Sequence, residues 1–177
     1  MDIMDPSTPK SIKDKTLGLV FPVYAWGPPE IVVDFIKKLD GKPAFTFALC
    51  TCGDEAGQTM KKLSGTLKLN STYSISMPNN YVLGSDLEAD EVIRNKISKA
   101  KESLKSIGLE IVNRQSVNKV NLGKMPWLKS SLINYGFNKF ARRTKPFYAT
   151  DQCSSCQICV KSCPAETISM INGKPHW

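Results

Sequence analysis

Histidine is almost missing from this 177-residue sequence: His176 is the sole one, and it reads as an ordinary exposed side chain. Missing too is any apolar run near the roughly 20 residues a transmembrane helix needs. Met1 to Lys15 is polar and proline-bearing, without the apolar stretch of a secretory signal. These absences predict a cytoplasmic chain that makes no use of a membrane. In that reducing compartment its six cysteines are poor disulfide material, and four of them crowd into eleven residues, which points to metal chemistry. No zinc-finger pattern, aromatic-basic RNA-binding signature, internal repeat or low-complexity tract is present. Acidic side chains are the minority, 16 against 24 Lys and Arg, for a net charge of +8. The excess falls on Lys10, Lys13 and Lys15, on Lys96 to Lys105, and on Arg142, Arg143 and Lys145. With no nucleic-acid motif beside it, that charge suits a solvated surface or an acidic redox partner better than nucleic acid.

What is present begins with two unbroken apolar runs, Leu17 to Val23 and Ala44 to Cys50. Runs without alternation are expected of parallel strands covered on both faces by helices. Between them Pro28-Pro29 opens a helix whose apolar positions Ile31, Val32, Phe35, Ile36 and Leu39 follow helical spacing, with Gly41 as the stop. The three make a βαβ unit, whose loops gather at the carboxyl ends of the strands. A second helix is expected around Glu55 to Leu63, and a strand within Leu67 to Met77 that Pro78-Asn79-Asn80 terminates. Ser85 and Glu88 have capping-box spacing for a long helix that Gly108 would close, with Lys96, Lys99, Lys101 and Lys105 on its solvated side. Residues 109 to 125 read as strand or loop, and Trp127 to Ala141 as a poorer helix interrupted by Gly136. Cys50 and Cys52, at a strand end, read as small packing residues, not ligands. The composition changes near Thr144, which predicts domains over 1–143 and 144–177.

In the second domain Cys153-x2-Cys156-x2-Cys159-x3-Cys163-Pro164 has the spacing of a bacterial 4Fe-4S loop. Soft thiolates suit iron-sulfur clusters, and two-residue gaps let one tight loop aim three sulfurs at one cluster. Structural zinc is the competing metal, but it usually takes two separated pairs. From Cys153 onward the chain resembles the first half of a bacterial two-cluster ferredoxin domain, including a strand at Ile168-Ser169-Met170-Ile171 and a turn at Asn172-Gly173. The resemblance implies that Cys153, Cys156 and Cys159 share one cluster while Cys163 serves another. No second cysteine motif follows, so a fourth sulfur would come from residues beyond this chain, from a partner, from self-association, from a small thiol or from Cys163 itself.

Residues 15 to about 113 resemble part of a flavodoxin. The match is to the flavodoxin-ferredoxin fusion proteins of anaerobes, 4Fe-4S iron-sulfur flavoproteins. Its carriers are the stretch Phe21-Pro22-Val23-Tyr24-Ala25-Trp26-Gly27-Pro28-Pro29, then Thr51-Cys52-Gly53-Asp54-Glu55-Ala56-Gly57, then Ser76-Met77-Pro78-Asn79-Asn80-Tyr81. The resemblance implies an α/β fold, an incomplete flavodoxin-like parallel sheet with flanking helices, joined to the ferredoxin half. It implies FMN held by Pro22 to Gly27 and by Thr51, Cys52 and Gly53, with Tyr24 and Trp26 beside the ring. No Ser/Thr/Gly-rich phosphate loop precedes Thr16, so the chain reads as a fusion protein shortened at both ends. The function expected is electron transfer through the cluster to a redox partner protein, originally coupled to FMN. A zinc-stapled basic module that binds nucleic acid or protein, and an inactive remnant, are the alternatives.

Overall fold

A computed structural model describes residues 11–79, 86–142, 144, 145 and 147–177. It divides the chain into two compact units, Met1–Tyr135 and Gly136–Trp177.

The first unit is α/β. Strand β1 (Thr16–Pro22), helix α1 (Glu30–Lys37), strand β2 (Phe45–Cys52), helix α2 (Thr59–Ser64), strand β3 (Ser71–Ser76), helix α3 (Asp90–Val112) and the short strand β4 (Asn118–Lys119) follow in order. All four strands are parallel, in the spatial order β1-β2-β3-β4. Register places Val20 beside Leu49 and Leu49 beside Tyr73, so these three share one face of the sheet.

Each face has its own core. On one, Leu17, Leu19 and Phe21 of β1 and Ala48, Cys50 and Cys52 of β2 pack against Val32 and Ile36 of α1 and Met60 and Leu63 of α2. Leu63 is wholly buried, worth about 1.5–3 kcal/mol relative to an exposed side chain. On the other, Leu49, Tyr73 and Ile75 meet Ala100 and Ile107 of α3. Strand β2 is thereby covered on both sides, as its apolar run predicts. Strand β1 is not. Its residues alternate between exposed and buried because it lies at the sheet's edge and α3 covers only β2 and β3.

Two expectations about α3 need correction. The helix starts at Asp90 behind Ala89, which makes no side-chain cap, while Glu88 bonds Lys96 and the Asn79 amide instead; Ser85 lies outside the described residues, as does Asn80. Gly108 does not close the helix, which continues to Val112, since a glycine inside an exposed turn costs only about 1 kcal/mol.

Residues 126 to 141 form one helical run that alternates between α and π geometry: α4 (Pro126–Leu128), a π turn Lys129–Ile133, α5 (Asn134–Gly136) and a π turn Phe137–Ala141. Gly136 lies within it and does not interrupt it.

The second unit carries a short helix, α6 (Ile158–Lys161), and an antiparallel hairpin, β5 (Ser169–Ile171) with β6 (Lys174–His176). Asn172 and Gly173 both adopt positive φ, 50° and 76°, as a two-residue hairpin turn requires. His176 is exposed. Among the described residues, no helix is long and apolar enough to cross a membrane.

Candidate functional site

Because the strands are parallel, the loops after β1, β2 and β3 meet at one end of the sheet. The Val23 amide donates to the Thr51 carbonyl at 2.8 Å, the Met77 amide to the Cys52 carbonyl at 2.8 Å, and Ser76 Oγ to the Gly53 carbonyl at 2.7 Å. So the sequence-predicted loop residues Pro22 to Gly27 and Thr51 to Gly53 do converge. Cys52 takes part only through its backbone, its side chain being buried in the core. Burial pushes its thiol up to about 11 and that of Cys50 up to about 12, so both stay protonated packing groups.

The loop after β1 is a tight reverse turn. Tyr24 and Gly27 exchange backbone hydrogen bonds of 2.9 and 3.0 Å, while Ala25 and Trp26 between them take φ of 45° and 62°. Two consecutive non-glycine residues in this left-handed region store strain, about 1–3 kcal/mol each, and persist only where surrounding contacts fix them. Those contacts come from residues far along the chain. Asn134 Nδ2 donates to the carbonyls of Tyr24 and Ala25 at 3.1 and 3.0 Å, and its Oδ1 accepts from Lys62 Nζ at 2.6 Å. Trp26 Nε1 donates to Glu55 Oε1 at 3.1 Å, and Lys129 Nζ lies 5.4 Å from the centre of the indole ring. Such a cation–π contact is worth about 0.5–1 kcal/mol.

Glu55 is the hub. Its carboxylate accepts from Trp26, from Lys129 and from the Lys124 amide, the last at 3.0 Å. Burial alone would raise this carboxyl, but Lys129, the Lys124 amide and Trp26 outweigh it and hold the group below the usual range. Nearby, Lys96 Nζ reaches the Gly53 carbonyl at 2.8 Å and pairs with Asp54 and Glu88. Burial would pull that ammonium down; the hydrogen bonds to Glu88 and Asp54 raise it instead.

In this arrangement the indole N–H of Trp26 is engaged by Glu55, and Lys129 lies over the ring. Gly27 abuts the Asn134 side chain, and Gly57 abuts Ser130 and Trp26 so closely that a β-carbon there would come within 2.6 Å of Ser130 Oγ. Tyr24 remains exposed. Sequence reasoning missed Glu55, Lys129, Ser130 and Asn134 as the residues that organise these loops. The one signal available was that Ser130 and Asn134 are polar yet sit on a helix, where an inward position has to be satisfied by hydrogen bonds.

The cysteine loop belongs to the second unit. Cys153, Cys159 and Cys163 are half-buried and Cys156 is exposed, all four as free thiols. Among the described residues no three His, Cys, Asp or Glu side chains converge into a metal-holding group. The chemistry of the loop nevertheless fits thiolate ligands. The Ile158 amide and the Ser154 side chain lower Cys156 below the ordinary thiol range. Cys163, with its Sγ 3.5 Å from Thr167 Oγ1, is lowered by that hydroxyl and by the amides of Thr167 and Ala165. Ser155 and Gln157, on either side of Cys156, take φ of 57° and 63°. The hairpin is tied to the loop by Ser155 Oγ, which donates to the Gly173 carbonyl, and by Lys174 Nζ, 2.6 Å from Asp151. Comparison with protein-family models, with curated proteins and with solved structures found no match for this chain.

Proposed function

We propose that this chain is a one-electron carrier related to the flavodoxin-ferredoxin fusion proteins, in which Cys153, Cys156 and Cys159 hold an iron-sulfur cluster with Cys163 available as a further thiolate. One observation carries the reading. The unit from Gly136 to Trp177 has no buried residue among those described, yet it contains four thiols at C-x2-C-x2-C-x3-C-P spacing. Units of about 40 residues cannot bury enough apolar surface to fold and usually need a metal or disulfides. The two lowered thiols favour the thiolate form that binds iron.

When bound, a 4Fe-4S cluster takes up and releases single electrons. The chain's part is to hold it and set its potential. The amides of Ile158, Thr167 and Ala165 stabilise negative charge on sulfur, and hydrogen bonds of that kind raise a cluster's potential. A redox partner protein in the cytoplasm would receive the electron. No step is assigned to FMN, because the loops that would carry it are held together by the chain's own Asn134, Glu55 and Lys129.

The test is anaerobic reconstitution of the full chain with iron and sulfide, followed by electron paramagnetic resonance after reduction. A cluster signal with iron and acid-labile sulfide bound in equal amounts is expected. Stoichiometric zinc with no iron would instead favour a stapled binding module, and neither metal would favour a remnant.

A further inference from the structure

On the face of the sheet that α3 covers, β1 is bare. Gly18, Val20 and Pro22 all point that way and all are exposed, Val20 at 68%. The Phe47 ring, half-buried, lies against Gly18, where any side chain would displace it. The flank of α3 nearest this strip is apolar as well. Lys96, Lys99 and Ser103 line a crevice with Ser74 and Ser76 on the β3 side of the helix. Helical spacing then turns Ile97 and Leu104 the opposite way, toward β1, and they stand 37% and 49% exposed. Strands of parallel sheets are ordinarily covered on both faces. Among the described residues nothing covers this strip, which runs from Val20 and the Phe47 ring to Ile97 and Leu104.

The strip's border shows what kind of partner fits it. Arg94 and Lys101 are exposed, three and four residues from Ile97, and Lys105 is exposed four residues beyond Lys101, so the three form a basic rail along the apolar strip. A second copy of this chain would bring a like-charged rail against it. We propose that the strip between β1 and α3 docks an amphipathic helix of an acidic protein partner. Its apolar side would cover Val20, Phe47, Ile97 and Leu104, and its carboxylates would pair with Arg94, Lys101 and Lys105. Opposite charge along the rim steers encounter and fixes orientation, while the apolar centre supplies most of the affinity. The inference is independent of whether the cysteine loop holds a cluster.

The full chain is titrated with two synthetic helical peptides that share one leucine face, one carrying glutamate on its other face and one carrying lysine. The glutamate peptide should bind about tenfold more tightly, a preference that weakens with salt. Val20→Asp should remove that binding while leaving the thermal transition in place, since Val20 is exposed. The double variant Lys101→Glu with Lys105→Glu, which touches no core residue, should reverse the peptide preference. Equal binding of both peptides, no binding of either, or binding that survives Val20→Asp would overturn the proposal. So would a dimer in sedimentation equilibrium that Val20→Asp dissociates, for then the occupant is a second copy.

Discussion

The two units of this molecule are held together by different means. The first packs Leu19, Phe21, Ala48, Leu63, Tyr73 and Ile107 into cores on both faces of a sheet. The second has no buried residue among those described and instead holds four thiols, a hairpin and the ion pair Lys174–Asp151. Burial at about 25 cal/mol per Å² stabilises the first without a ligand. The second has no comparable term, so in our account its stability is metal-binding free energy. On that account, one chain holds a scaffold that its own core stabilises and a second module that depends on what it binds.

The sharpest way to break that comparison is to remove the thiols. Replacing Cys153, Cys156 and Cys159 by serine should abolish iron binding and make the amides of the second unit exchange freely with solvent. The thermal transition of the first unit should not move, as calorimetry would record. Leu63→Ala should do the converse, lowering the stability of the first unit by about 2–5 kcal/mol in denaturant unfolding with iron content unchanged. A smaller effect is expected from Glu55→Gln, about 1–3 kcal/mol at neutral pH, because Trp26 and Lys129 lose their charged acceptor. Its pH dependence has a fixed sign. Glu55 is depressed in the folded chain, so its contribution is present above its unfolded value of about 4.3 and is lost as pH falls through the lower folded value. The wild type and Glu55→Gln should therefore converge in acid. At the bottom of the scale, Lys37→Ala removes an exposed pair with Asp34 and should change stability by at most about 0.5 kcal/mol.

Legibility from sequence followed the physics of each region. Strand β2 and helix α1 were readable because continuous apolar runs and a Pro-Pro start have few other meanings. The alternation of β1 was not, since Leu17 to Val23 is apolar throughout and only the neighbour count of an edge strand exposes Val20. The helical run after Pro126 was the hardest. It turns Ser130 and Asn134 inward and leaves Trp127, Leu132 and Tyr135 exposed, the reverse of what hydrophobic periodicity assumes. Likewise Glu55 and Lys129 are far apart in sequence, and no local pattern marks them as partners. The cysteine loop stands out through its spacing alone, and the cluster it is proposed to hold is a reading of that spacing, not of its packing.

The central claim is that the thiols near the C-terminus hold iron. Iron and acid-labile sulfide should therefore be quantified on the anaerobically purified chain and on its triple serine variant. The account expects both elements in the wild type and their loss from the variant. Iron undiminished in the variant would contradict it.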